Sequence, residues 1–487
     1  MSKILSQDTK HRLNKPIQTR WSMCDILLFL GGFFDSEFSH FFLHFLLYFT
    51  IFFIEKLYNF INYSMLRPGW FPEYSPSEQK IFDIILNSIG HIFTQRNFDH
   101  IWTPAVEKND ILLKGGETVA NEIFGLVGLK DFEKWELERA KKDYSLHFDL
   151  TVPFARYVLD HTNEITFPFR RYQMQPVRRG ERQQRGRFKE FWQCDVDCIW
   201  RSGTDVGHRY ACETISTLQS ALQSVLQSFS LSKKFTSHIS HIGLTKSFLE
   251  SHIESFQVQW VTDLFDKYYK KTHELFMQEL TALVWSELAK SIEQIIINKD
   301  HTILCNYDEK AYEKLNNTIK DLQLLWSNVV FDITIVRWLG YYTDIVFETF
   351  FDDEISLWSI CSGGWYQDFT KFIDPKQVFS GIGWSIWLSR LMEVIKENNQ
   401  ERFMQLESYL FLNFETTQND ILWLYQRFLS EWKTCEYYPT PAKFGKQLEY
   451  ADKKWITHAV ILWDGEKEQG IYIIKNMKTG EQVKVNL

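Results

Sequence analysis

The sequence predicts an α+β chain that ends in a separate α/β unit. Two patterns carry this. Between Phe169 and Asp197, two strand-like runs (Arg171 to Val177 and Phe188 to Cys198) flank a polar segment bounded by glycines, Gly180 to Gly186. That arrangement reads as an antiparallel pair joined by a long basic loop. From about residue 405 onward, strand-like and helix-like runs alternate, which is the pattern of an α/β unit.

At 487 residues the chain is long enough for several domains with sizeable cores. Its first 64 residues are Phe-rich, and Phe38 to Ile54 (FSHFFLHFLLYFTIFFI) carries no formal charge over seventeen residues, at the lower edge of a membrane span. Basic residues precede that run, but no small-residue cleavage site follows it. The preferred reading is non-native upstream sequence with Met65 as the start; a membrane anchor is the alternative. Next, Ser75 or Ser77 caps a helix with Pro76 inside its start and apolar spacing at Ile81, Ile84, Ile85, Ile89 and Ile92. A strand is expected near His100 to Thr103, and Lys134 to Asp143 reads as a charged linker. In Leu146 to Arg156 (LHFDLTVPFAR), Asp149 and Thr151 are two apart, hence on one strand face, before a turn at Pro153.

After the strand pair, Asp205 to Phe229 is a long amphipathic helix, and residues 230–325 hold a short strand (HISHIGL) and several helices. Val336 to Glu348 (VRWLGYYTDIVFE) sets Arg337 beside two phenols, Tyr341 and Tyr342, offering charge, ring stacking and hydroxyl bonds together. Its plainer reading is a core strand with aromatic packing. Cys361 to Tyr366 (CSGGWY) is a glycine-rich strand, and Gly381 to Leu391 (GIGWSIWLSRL) reads as a strand end, a tight turn and a helix carrying Arg390.

Charge sharpens the picture. Seven arginines fall between Arg170 and Arg187 in a chain whose formal net charge is -8. That balance excludes a generally nucleic-acid-coating protein but leaves room for a local basic surface. Gln193, Asp195 and Asp197 alternate with Cys194, Val196 and Cys198, so one strand face is polar. The stretch thus offers forked guanidiniums for phosphate and a carboxylate face for a cationic or hydrogen-bonding ligand. A solvated basic hairpin with an ion-pair network is the alternative from residue types alone. The seven cysteines are scattered without a CxxC pair, which suits a reduced cytoplasmic protein without structural disulfides or zinc.

The stretch FRRYQMQPVRRGERQQRGRFKEFWQCDVD resembles motif 2 of class II aminoacyl-tRNA synthetases, in the form found in histidyl-tRNA synthetases. LLKGGETVANEIFGL, LHFDLTVPFAR, VRWLGYYTDIVFE, CSGGWY, GIGWSIWLSRL and FGKQLEYADKK resemble further segments of that family, in its order, so the resemblance runs from Met65 to Leu487. It implies a class II antiparallel sheet flanked by helices, with catalytic core at residues 65–229 and 326–400. It also implies a helical insertion domain over the tRNA acceptor end at 230–325 and an anticodon-binding α/β domain at 405–487. A cytoplasmic homodimer is implied, ligating L-histidine to tRNA(His) through histidyl-adenylate, with ATP as substrate and Mg²⁺ accompanying it.

By matching positions, Arg179 would hold the α-phosphate and Arg337 would face it. Glu181 would read the adenine, Arg390 would bind the outer phosphates, and Arg187 would lie beside the triphosphate or the amino acid. Asp149, Thr151, Gln193 and Asp197 would hold the histidine, with Tyr341 and Tyr342 about its ring. Lys443, Lys446, Lys453 and Lys454 are candidates for tRNA phosphates, against the reading of a charged helix face. His147 departs from the family's arginine, and Gln183 from its usual proline. Two rivals remain. A histidine-binding regulatory paralogue is opposed by FGKQLEYADKK, Arg179 and Arg390. A catalytically inactive, tRNA-sensing relative is favoured if certain tryptophans are taken literally.

Those tryptophans are an anomaly. Trp is 18 of 487 residues and Gly only 22, where about 7% Gly is usual. Trp200, Trp338, Trp358, Trp384, Trp387, Trp455 and Trp463 stand where the family has glycine, and Trp365 where it has arginine or glycine. One expectation covers the glycine sites: UGA codons meant as glycine, written as tryptophan. An indole there would fill the nucleotide pocket or break a turn.

Overall fold

The computed structural model describes residues 68–113, 122–129, 143–180, 187–203, 207–325, 327–336, 342–354, 359–398 and 407–487. The Phe-rich segment, the 134–142 part of the charged linker, Glu181, Gln183, Arg337, Trp338, Tyr341 and Trp358 lie outside those residues.

The strands in chain order are β1 (Asp99–His100), β2 (Val106–Lys108), β3 (Tyr144–Leu146), β4 (Phe169–Arg178), β5 (Glu190–Arg201), β6 (Phe235–His241), β7 (Val329–Phe331), β8 (Ile345–Phe351), β9 (Cys361–Tyr366) and β10 (Phe379–Trp387). Eight of them form one sheet in the order β1-β4-β5-β10-β9-β8-β6-β7. Its six central strands, β4 to β6 in that order, are antiparallel throughout, and only the outer pairs β1·β4 and β6·β7 are parallel. The strand pair read from sequence is β4 and β5, with Arg171 opposite Asp197 and Gln175 opposite Gln193.

One face of this sheet is apolar. Cys194, Val196 and Cys198 turn inward from β5 and meet Ile382 and Ile386 of β10 in the main core. Helices Pro76–Gln95 and Gly207–Ser228 contribute to that core, through Ile81, Ile85, Ile89 and Phe93 from the first and Ala211, Ile215, Leu218 and Leu222 from the second. The first helix starts where its chemistry says. Ser75 and Glu78 exchange backbone and side-chain bonds in a capping box, and Pro76 takes the first turn, where its missing N–H costs nothing.

Three expectations are corrected. HISHIGL is not part of a helical insertion: its strand, β6, pairs with β8 inside the main sheet, and the helices follow it. Asp149 and Thr151 do not share a strand face, because β3 stops at Leu146 and Thr151 opens the helix Thr151–Asp160. The cause is local: the Asp149 carboxylate accepts the Val152 amide, and Pro153 falls in the first helical turn, where it is tolerated. Finally, no turn separates β10 from the helix Leu388–Asn398, which begins at the next residue.

The C-terminal part forms its own five-stranded sheet from β11 (Ser408–Phe411), β12 (Thr434–Tyr437), β13 (His458–Ile461), β14 (Ile471–Asn476) and β15 (Gln482–Asn486), ordered β12-β11-β13-β14-β15. β11, β12 and β13 are parallel, as alternation with helices Gln418–Ser430 and Phe444–Lys453 requires; β14 and β15 add an antiparallel hairpin.

Candidate active site

Period 2 places the other face of β5 under a cavity of about 260 Å³. Its floor is a set of cross-strand rows. Asp197 lies between Arg171 of β4 and Gly383 of β10; Asp195 lies between Gln173 and Ser385; Gln193 lies between Gln175 and Trp387. The rows continue into Ser362 of β9 and Glu348 of β8. Residues directly opposite in antiparallel strands carry their side chains on the same face, so sheet register alone assembles this floor.

The floor holds three carboxylates, Asp195, Asp197 and Glu348, and one counter-cation, Arg171. Arg171 Nη2 lies 2.6 Å from Asp197 Oδ2, both side chains almost fully buried. That contact is misaligned for a hydrogen bond, so charge rather than a directed bond holds it. The Tyr366 hydroxyl donates to Asp197 Oδ1 at 2.5 Å. Burial raises the pKa of Asp197, against the pull of Arg171 and Tyr366. Burial also raises that of Asp195, to about 7, with Arg171 opposing and Asp197 adding to the rise. A second positive group entering the cavity would relieve both. Gly383 is a steric requirement: a Cβ there would sit 1.8 Å from Asp197 Oδ1. Behind the floor, Arg171 donates to Gln173 (3.1 Å), Gln173 to Thr103 Oγ1 (2.7 Å) and Gln175 to the Thr103 carbonyl (2.9 Å), a buried ladder that holds Arg171 in register.

The walls carry the arginines. Arg179 leaves the end of β4, donates from Nε to the Phe148 carbonyl at 2.9 Å and lies over the Phe191 ring. Arg187 enters the same cavity beside Arg179; burial, then repulsion from Arg179, lowers its pKa. Arg390, from the helix after β10, is buried, donates to the Ser359 carbonyl and stacks 3.5 Å over the Trp387 ring. Arg179, Arg187, Arg390, Ser389 and Trp387 line an adjoining space of only about 20 Å³, little more than one water needs. Asp149, Thr151 and Tyr342 complete the wall of the larger cavity.

The structure thus brings Asp149, Thr151, Arg179, Arg187, Gln193, Asp197 and Tyr342 to one cavity, with Arg390 next to it. Asp195 lines it too, as the polar face of β5 implied, and so do Glu348, Tyr366, Glu122 and Asp266, to which the sequence assigned no role. The alternation that put Asp195 on the face of Asp197 was the available signal; Asp266, beyond the end of helix Ser255–Phe265, had none. His147 is buried behind the wall, bonded to the Pro176 carbonyl at 2.8 Å, and burial lowers its pKa to about 4. The C-terminal lysines lie on the helix Phe444–Lys453 and beside it, where Lys453 pairs with Glu449 and Lys454 with Glu436. Trp384 borders the cavity, but its ring packs into the main core against Phe347.

An antiparallel sheet with arginine walls over a carboxylate floor is the architecture of a class II aminoacyl-tRNA synthetase core, and comparison with known proteins agrees. The histidyl-tRNA synthetase family pattern matches residues 71–391, and an anticodon binding domain matches 413–487. A histidine–tRNA ligase from Clostridium acetobutylicum is 32% identical over 441 residues, 86% of this chain and 97% of the relative. One from Christiangramia forsetii is also 32% identical, over 84% of this chain and 94% of the relative. The crystal structure of a histidyl-tRNA synthetase from Nostoc sp. PCC 7120 superposes with a TM-score of 0.72 at 25% identity, covering 86% of this chain and 96% of that one. The chain belongs to the histidyl-tRNA synthetase family.

Proposed function

We propose that this chain ligates L-histidine to tRNA(His) in two steps. The histidine carboxylate attacks the α-phosphate of ATP, forming histidyl-adenylate and expelling pyrophosphate. A terminal adenosine hydroxyl of the tRNA then attacks the activated carbonyl and releases AMP. The observation that carries the reading is one cavity holding both a carboxylate floor with a single counter-cation and a wall of arginines. The floor suits the cationic amino group and imidazole of histidine. The guanidiniums suit a phosphorus that gathers negative charge in an in-line displacement, where positioning and cations supply most of the catalysis.

In this proposal Asp149, Thr151, Gln193 and Asp197 hold the amino acid, with Tyr341 and Tyr342 about its ring. Arg179 and Arg337 take the α-phosphate, Glu181 reads the adenine, Arg390 meets the outer phosphates, and Arg187 lies beside them. Mg²⁺ enters with the nucleotide. Among the described residues the only three-ligand group is His208, Cys212 and Asp321, outside the cavity lining, and a magnesium ion carried mainly by phosphates needs at most one or two protein carboxylates. The core segments at 65–241 and 326–400 do the chemistry, the helices between 242 and 325 cover the acceptor end, and 405–487 engages the anticodon arm through lysines such as Lys443, Lys446 and Lys453. A cytoplasmic homodimer belongs to the same proposal. No described helix is long and apolar enough to cross a membrane.

Histidine-dependent ATP–pyrophosphate exchange by the protein purified from its own source tests this. Exchange with histidine and none with the other amino acids is the expected result. Histidine binding without exchange would transfer the reading to a regulatory, non-acylating relative.

A further inference from the structure

Among the described residues, seven that are not glycine adopt positive φ, and three of them are tryptophans: Trp70 (69°), Trp432 (59°) and Trp455 (58°). With 18 tryptophans in 487 residues, chance would put well under one there. The left-handed region is a steric outlier for bulky side chains, whereas Asn97 and Asp368, two of the other four, belong to the types that tolerate it.

Two of these tryptophans occupy the same structural position. Helix Gln418–Ser430 ends with the Trp432 amide bonded to Leu429 O (3.0 Å) and the Lys433 amide to Phe428 O (3.2 Å). Helix Phe444–Lys453 ends with the Trp455 amide bonded to Asp452 O (3.0 Å) and the Ile456 amide to Ala451 O (2.9 Å). Both are Schellman closures, whose left-handed residue is usually glycine because nothing else enters that conformation without a Cβ penalty. Burial offers the indoles little in return: Trp432 is 97% exposed and Trp455 55%.

Trp384 has the opposite problem. Its ring centroid lies 3.4 Å from that of Phe347 at 48°, inside the 4.5–7 Å of ordinary aromatic pairs. Its Nε1 is buried and finds no hydrogen-bond partner among the described residues. A Cβ built on Gly363, the facing residue of β9, would come within 2.4 Å of the same ring. Trp387, three residues on, occupies the narrow space where Arg179, Arg187 and Arg390 meet. Strained exposed caps, an overfilled core and an obstructed arginine cluster share one residue type and one remedy.

We propose that positions 70, 384, 387, 432 and 455 are glycine in the protein as the cell makes it, inserted at a codon written here as tryptophan. With glycine at 387 the three guanidiniums face open space that a polyphosphate can enter. With glycine at 384 the β9–β10 floor relaxes beneath Gly383. The parts concerning 384 and 387 rest on the adenylation reading; those concerning 70, 432 and 455 rest on backbone geometry alone.

The test is peptide mass spectrometry of the endogenous protein, which reads residue identity without reference to activity. Glycine at 432 and 455 is expected, and tryptophan at either overturns the proposal. Tryptophan at 384 or 387 overturns it for the active site. In parallel, exchange is compared between the chain as written and a version carrying Trp384→Gly and Trp387→Gly. At least a tenfold gain is expected, and equal rates would count against an obstructing indole. An inactive endogenous protein with glycine at all five positions would sink the proposed function while leaving this inference standing.

Discussion

Asp197 is held from three sides: Arg171 Nη2 at 2.6 Å, the Tyr366 hydroxyl at 2.5 Å, and the bare Cα of Gly383. Gly383→Ala therefore does not add a neutral methyl. It drives a Cβ into Oδ1 at 1.8 Å and 2.8 Å from the Tyr366 oxygen, and something must move. Losing one hydrogen bond to a charged group costs about 1.5–3 kcal/mol. The expected outcome is a histidine KM raised about 10- to 100-fold with circular dichroism unchanged. An alanine variant with unaltered KM would mean that Asp197 does not hold the substrate. Asp195 makes a pH prediction. Its folded pKa is raised from 3.8 to about 7, chiefly by burial. The folded state therefore binds a proton that the unfolded state releases, and this stabilisation, full below the ordinary carboxylate range, is lost as pH rises toward 7. Urea midpoints of the ligand-free protein should fall between about pH 5 and about pH 8, and Asp195→Asn should flatten that slope.

Among elements, the union of β6 with the chain after the insertion helices depends on a buried carboxylate. Asp332 accepts from Lys299 Nζ at 2.6 Å, contacts His238 Nδ1 at 2.7 Å, meets the Tyr269 hydroxyl, and takes the Thr334 amide at 3.0 Å. Burial alone would raise its pKa, but His238 and Lys299 hold it well below the usual carboxylate range. The sign is opposite to that of Asp195: stability is present above the ordinary carboxylate pKa and is lost as the pH falls below it. Asp332→Asn strands a lysine beside a largely buried histidine, and breaking such a pair costs about 3–5 kcal/mol. Differential scanning calorimetry should find a lower melting temperature with the C-terminal sheet's own transition, if resolved, unmoved. A variant that melts with the native protein would mean that the surrounding hydrogen bonds, not the charge, hold these segments.

At the scale of the whole molecule, the proposed function assigns catalysis and anticodon engagement to different sheets. In the C-terminal one, Lys453 and Lys454 are already paired with Glu449 and Glu436, which weakens their case as phosphate ligands. Lys443 and Lys446, at the start of helix Phe444–Lys453, are the better candidates. Replacing each by glutamate should weaken tRNA binding and reduce the dependence of log affinity on log salt by about one per phosphate contact, leaving histidine-dependent exchange intact. A salt slope that does not change would exclude them from the interface.

The sequence by itself determined the antiparallel pair, the polar face of β5, the helix start at Ser75 and the alternation after residue 405. All of these are set by neighbours in the chain: period 2, a capping box, a run of strands and helices. It also carried the family, because motif residues stand in order. Only the tertiary structure decided what those residues meet. Register across β4, β5, β10, β9 and β8 joined Arg171, Asp197, Gly383, Ser362 and Glu348, which lie up to 212 positions apart (Arg171 to Gly383), and pairing at that distance leaves no local signature. The strand reading of Asp149 and Thr151 failed because one side-chain bond to the Val152 amide outweighed spacing. The tryptophans divide the same way. Their number was visible in composition, but that Trp432 and Trp455 sit in left-handed helix caps, and Trp384 within the core, depends on backbone angles and packing that only the folded chain possesses.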